Sequence, residues 1–176
     1  MAKRKAVFLD RDGTLVEEVN YLSRVEDLRL FPFTFESLKL LKNAGYLLIV
    51  VTNQSGIGRG LYTEADMHAI HAEMNLQLDG LIDAFYFCPH LPDEGCSCRK
   101  PELGTIEAAS ARFEIAIENS WVVGDKNLDR ELGENAGARS ILVRTGYGAN
   151  HEKMSGRSDN VVDDLSKAVE LILSNV

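Results

Sequence analysis

Nowhere in the chain do apolar residues run on for the ~20 positions that a membrane-spanning helix needs, so no membrane partner is expected. The opening Met-Ala-Lys-Arg-Lys is basic, but a short apolar run ending at Asp10 follows it, not the apolar core of a signal peptide. Cytoplasm is the expected compartment. Positive charge is also scarce: 19 basic against 27 acidic residues leave a net charge of −8, which repels a phosphate backbone and disfavours nucleic acid as a partner. Cysteine is missing except at positions 88, 96 and 98, an odd and crowded set that suits a metal site in a reducing compartment better than a disulfide framework. Internal repeats, low-complexity tracts and linkers are absent. The 176 residues, 45% of them apolar, therefore read as one domain over 1–176 with a single sizeable core, expected to be a monomer.

What is present is a regular alternation. Short apolar runs at 6–9, 47–51, 84–87, 121–123 and 141–143 are rich in β-branched or aromatic residues and end at polar residues or glycine, which predicts strands. Helical patterns at 34–44, 64–78, 104–113, 128–136 and 165–173 lie between and after them, with Thr63 as a candidate cap. Such alternation predicts an α/β fold, a three-layer, Rossmann-like, doubly wound parallel sheet. Trp121, Phe31, Phe33 and Phe35 are assigned to the core, and His68 and His71 to a solvated or half-buried helix face. Residues 151–160 are expected to be an exposed connecting loop.

In open parallel sheets ligands bind beyond the carboxyl ends of the strands. Those ends carry the chemistry here. Asp10 and Asp12, two apart in VFLDRDGT, lean the same way and crowd two carboxylates into one space. With Mg²⁺ held by Asp10 and an oxygen from position 12, Asp10 can stay ionised as a nucleophile while Asp12 protonates a leaving alkoxide. Thr52 and Asn53 end the second strand and lead into a glycine-rich loop carrying Arg59, where a hydroxyl, backbone amides and a positive charge suit phosphate oxygens. Lys100 can offset charge on a transferred phosphoryl group, and Asp125, after VVG, offers a further Mg²⁺ ligand. Cys88, His90, Cys96 and Cys98 form C-x-H then C-x-C, three thiolates and an imidazole suited to a closed structural Zn²⁺ site in a loop over 88–101.

Taken in order, FLDRDGTLV, VVTNQSGIGRG, CPH with CSCRKP, and VVGDK with LVRTGYG resemble the haloacid dehalogenase superfamily of phosphatases, over residues 6 to 145. Within it they are similar to the branch that removes the 7-phosphate from D-glycero-D-manno-heptose 1,7-bisphosphate. The resemblance implies Asp10 as nucleophile, Asp12 as acid and base, Asp10, Asp12 and Asp125 as the Mg²⁺ site, and Thr52 and Lys100 as stabilisers of the phosphoryl group. It further implies that Arg99 and Lys126 recognise the sugar or its second phosphate, while Glu18, Val19, Asn20, Tyr21, Asn53, Gln54 and Ser55 shape the pocket. The short spacing from Thr14 to Thr52 and on to Lys100 leaves no room for a large cap domain, so an open site for a small sugar bisphosphate is expected. The length of CPHLPDEGCSCRKP keeps histidinol phosphate as an alternative substrate. A polynucleotide 3′-phosphatase shares a similar glycine-rich run. Outside enzymes, a phosphoryl-accepting receiver and a zinc-held binding module are the alternatives.

Overall fold

Alternation of side chains along each strand sends successive residues to opposite faces, and a strand apolar throughout must be covered on both. The structure, a computed structural model describing residues 3–175, builds that arrangement. Its strands are β1 (Ala6–Leu9), β2 (Leu47–Asn53), β3 (Ala84–Cys88), β4 (Trp121–Gly124), β5 (Arg139–Val143) and β6 (Val161–Val162). All pair in parallel, in the order β3-β2-β1-β4-β5-β6. The helices are α1 (Thr34–Asn43), α2 (Ser55–Gly58), α3 (Glu64–Gln77), α4 (Gly104–Phe113), α5 (Asn127–Ala136), α6 (Gly148–Ser155) and α7 (Leu165–Leu173).

Val7 and Leu9 join Val50, Trp121 and Val123 in a core layer closed by Leu38 and Leu41 of α1, Ile70 and Met74 of α3, and Val169 and Ile172 of α7. Ala6 and Phe8 face the other way and join Ile49, Val51 and Val122 beneath Ile106 of α4 and Leu132 of α5. The sheet is therefore the middle of three layers, as expected. Thr63 caps α3, its hydroxyl accepting from the Asp66 amide at 3.1 Å while the Asp66 carboxylate accepts from the Thr63 amide at 2.8 Å. Among the described residues no helix is long and apolar enough to cross a membrane.

Two local expectations are corrected. Residues 151–160 are not a plain connecting loop: α6 occupies Gly148–Ser155, and the chain then reverses at Gly156 and enters β6. The helix carries no apolar stripe for periodicity to find, since it lies on the surface with Met154 exposed. His71 is buried rather than on a wet face, while His68 is exposed.

Candidate active site

Strand register brings the site together. Leu9 is level with Val50 on β2 and with Val123 on β4, so the residues that follow these three positions emerge side by side at one edge of the sheet. The Asp10 amide still donates to the Val123 carbonyl at 2.9 Å, which holds the first carboxylate beside the end of β4. There Asp10, Asp125 and Asp129 each offer a carboxylate oxygen, all within 4.8 Å of one another. Asp129 sits in the first turn of α5, where its Oδ2 accepts from the Lys126 amide at 3.1 Å.

Lys100 is driven into this cluster. Its ammonium donates to Asp10 Oδ1 at 2.9 Å, to Asp129 Oδ1 at 2.7 Å and to the Val51 carbonyl at 2.9 Å. Asn53 fixes the backbone that carries it: the Lys100 amide donates to Asn53 Oδ1 at 3.0 Å and the Asn53 amide returns a bond to the Lys100 carbonyl at 3.4 Å. Thus Asn53 borders the cavity, but its side chain is committed to positioning Lys100. Thr52, buried to 1% exposure at the end of β2, directs its hydroxyl to accept from Gln54 Nε2 at 2.8 Å.

Three buried carboxylates facing one ammonium leave negative charge uncompensated. Burial, then the charges of Asp10 and Asp129, push Asp125 up to about 9. Burial likewise raises Asp129 to about 6, partly opposed by Lys100. Burial would also raise Asp10, but Lys100 and Lys126 outweigh it and hold its carboxyl below the usual range, ionised as a nucleophile requires. One oxygen of Asp125, Oδ1, is buried with no partner. Its other oxygen accepts from the Tyr147 amide at 2.9 Å and lies against Gly13 and Gly146, where an added Cβ would come within 2.2 Å of it. Both glycines adopt positive φ, +82° and +56°. An orphaned oxygen among crowded carboxylates is what a divalent cation would complete, and Asp10, Asp125 and Asp129 fit that task.

Asp12 lies apart from that cluster. Its carboxylate, 17% exposed toward the cavity, is gripped by the Arg11 guanidinium, with Nε to Oδ2 and Nη2 to Oδ1 both at 3.0 Å, and accepts a third bond from Gln54 Nε2 at 3.1 Å. The clustered carboxylates are Asp10, Asp125 and Asp129, so Asp129 joins the expected Asp10 and Asp125, and the carboxylate of Asp12 is not among them. The spacing held a clue: Asp129 follows Asp125 by one helical turn at a strand-to-helix junction.

The cavity above these groups holds about 260 Å³ and is bordered by Glu18, Asn20, Tyr21, Ser55, Arg99 and Lys126 among others. Burial, then Asp12, raises Glu18, whose Oε1 accepts from the Asn20 amide at 2.8 Å. Arg99 donates to the His90 carbonyl at 3.4 Å and so is tied to the cysteine loop. Two expected residues stand outside. Val19 is exposed, pointing away between the inward Glu18 and Asn20. Arg59 is exposed just after the single-turn α2 and does not border the cavity. Leu128, Tyr62 and Tyr147 border the cavity and were not anticipated.

Beyond β3, Cys88, His90, Cys96 and Cys98 gather their donor atoms within 4.8 Å. Cys96 Sγ lies 3.5 Å from Cys88 Sγ and 3.7 Å from Cys98 Sγ, and His90 Nδ1 lies 3.4 and 3.2 Å from Cys88 and Cys98. A tetrahedron with Zn–S bonds of about 2.3 Å has edges of about 3.8 Å, so the four donors are spaced for one tetrahedral ion. Bonds from Cys88, the Arg99 backbone and Cys98 outweigh the effect of burial and bring the Cys96 thiol down to about 7, within reach of the thiolate form.

Comparison with known proteins places this geometry in a family. A HAD-hydrolase-like family model matches residues 97–168. A D-glycero-D-manno-heptose-1,7-bisphosphate 7-phosphatase of Thermosynechococcus vestitus is 37% identical over 98% of this chain and 97% of its own. A D-glycero-beta-D-manno-heptose-1,7-bisphosphate 7-phosphatase of Pseudomonas putida is 37% identical over 96% and 99%. Among solved structures, the D,D-heptose 1,7-bisphosphate phosphatase from B. bronchiseptica, complexed with magnesium and phosphate, superposes with a TM-score of 0.90 at 31% identity, covering 98% of this chain and 99% of that one.

Proposed function

This chain belongs to the HAD-like phosphatases, phosphoric monoester hydrolases, and on that premise we propose that it removes the 7-phosphate of D-glycero-D-manno-heptose 1,7-bisphosphate through an aspartyl-phosphate on Asp10. The observation that carries the reading is the convergence of Asp10, Asp125, Asp129 and Lys100 at one sheet edge. Asp10 attacks phosphorus, forming the Asp10 O–P bond as the bond from phosphorus to the sugar oxygen breaks. Asp12, which must enter the cycle protonated, gives that proton to the departing oxygen and is left as a carboxylate. The same carboxylate then takes a proton from a water, which attacks the acyl phosphate, frees inorganic phosphate and restores Asp10. Lys100 and Thr52 offset and orient the phosphoryl oxygens. Arg99 and Lys126, facing the cavity with opposite attachments, one to the cysteine loop and one to the start of α5, suit the second phosphate.

A Mg²⁺ would be held by Asp10, Asp125 and Asp129, with an oxygen of position 12 as the further expected ligand, and would supply neutralisation of the charge on the phosphoryl group. Zn²⁺ held by Cys88, His90, Cys96 and Cys98 would be structural, its four positions filled by protein and its loop leading straight into Arg99 and Lys100.

The test is hydrolysis of heptose 1,7-bisphosphate and of histidinol phosphate side by side, with Asp10→Asn as control. The bisphosphate is expected to be turned over with much the higher kcat/KM and Asp10→Asn to be inactive. Preference for histidinol phosphate would remove the substrate assignment, and an active Asp10→Asn would remove the mechanism.

A further inference from the structure

The residue between the two catalytic aspartates, Arg11, is 1% exposed, and its side chain runs back into the protein to meet His71 on α3. Arg11 Nη1 lies 3.2 Å from His71 Nε2. A guanidinium has five donors and no acceptor, so Nε2 must present its lone pair, and the imidazole is the neutral tautomer with its proton on Nδ1. Phe85 holds the ring in place, stacked at 4.4 Å between centroids and 14° between planes. Burial, then the Arg11 charge, lower His71 to about 3, consistent with a ring that stays neutral.

The rest of the guanidinium is spent on the active site. Nε and Nη2 form the two-pronged grip on Asp12, and Nη2 also donates to Gln54 Oε1 at 3.1 Å. Gln54 Oε1 in turn accepts from the Tyr62 hydroxyl, and Gln54 Nε2 bonds both Asp12 and Thr52. Arg11 thus has one anchor on α3 and its working bonds at the sheet edge. Without that anchor the fork loses its back support, and a carboxylate that must reach a leaving oxygen within hydrogen-bond distance is free to drift.

We propose that His71 is a positioning residue for the phosphatase reaction: by accepting from Arg11 it fixes the fork that aims Asp12 at the leaving-group oxygen. This rests on the reading of Asp12 as general acid. It goes beyond that reading in assigning a role to a helix residue that touches neither substrate nor any aspartate of the site.

A general acid matters most when the leaving group is an alkoxide and least when it is a stable phenolate. The test therefore compares kcat/KM, which reports the first phosphoryl transfer, on a sugar phosphate and on p-nitrophenyl phosphate. His71→Phe keeps the stacking but loses the acceptor. His71→Asn keeps polarity but ends one bond short of Arg11, and His71→Gln restores an acceptor at that reach. Phe and Asn are each expected to lose about 10–100-fold on the sugar phosphate and under about threefold on the aryl phosphate. Gln should stay within about threefold of the parent on both. Melting curves identify any variant that does not fold, and either of the two acceptor-deficient variants alone carries the comparison. Equal losses on the two substrates, no loss, or a Gln variant as impaired as Asn would overturn the proposal. Asp12→Asn separates the two levels: if it too fails to discriminate between leaving groups, the assignment of Asp12 falls and the role of His71 with it.

Discussion

A single methyl group is expected to disable this site. At Gly13 the added Cβ would lie 2.2 Å from Asp125 Oδ2 on a backbone at φ +82°, so Gly13→Ala must either push the Asp125 carboxylate off its bond to the Tyr147 amide or distort the turn after Asp12. We expect Mg²⁺-dependent turnover to fall at least about 100-fold, in line with the cost of an ångström-scale misplacement. Steady-state kinetics over a Mg²⁺ series checks this, and parental kcat would contradict it. At this scale Asp10, Thr52 and Asp125 were legible because each follows an apolar run where parallel sheets expose their chemistry, Asp12 because it lies two residues beyond Asp10, and Lys100 because it leaves the cysteine cluster. It could not display the partners those residues need. Asn53 appears in the sequence as a phosphate-loop residue and proves to be the clamp on the Lys100 backbone. Arg11 and His71 are 60 positions apart, and nothing local links them.

Among the elements, the cysteine loop is the one that cannot be held by packing alone, since 92–95 are all exposed and its four donors point at one another. Its exit carries Arg99 and then Lys100, which crosses to Asp10 and Asp129. Removing the metal with a chelator, or substituting Cys96→Ser, is expected to lower Tm by about 6–12 °C, what about 3 kcal/mol is worth in a chain of this size. Activity should drop with it, as Lys100 loses its approach. Differential scanning calorimetry beside metal analysis checks the pair of effects, and full activity in zinc-free protein would overturn the link. The main strands and helices were foreseeable because burial on both faces imposes apolar runs and caps such as Thr63 punctuate them. The surface helix α6 and the two-residue β6 were not, because neither buries enough of itself to leave a periodic mark. Arg59, just after the single-turn α2, is exposed and away from the cavity, because so short a helix leaves no periodic mark that would show which way its end faces.

For the molecule as a whole, the carboxylate cluster links Mg²⁺, protons and stability. A carboxyl raised in the folded state contributes stability that is complete below its unfolded value of 3.8 and is lost as pH rises through its folded value, about 9 for Asp125. Without Mg²⁺ the native protein is therefore expected to hold a proton at neutral pH that the unfolded chain has released. Mg²⁺ needs that carboxylate ionised, so binding expels the proton, and apparent affinity should rise about tenfold per pH unit between pH 7 and pH 9, then level off. At a fixed excess of Mg²⁺, each unit adds about 1.4 kcal/mol of stabilisation, or about 3–6 °C in the Mg²⁺-induced shift of Tm. Taking the difference between melts with and without Mg²⁺ cancels groups that titrate alike in both, Cys96 and His71 included. Asp125→Asn should abolish the shift at every pH. A shift that is flat or declining from pH 7 to pH 9 would mean that Asp125 is already ionised in the free protein, and that Asp10 and Asp129 do not crowd it as their spacing implies.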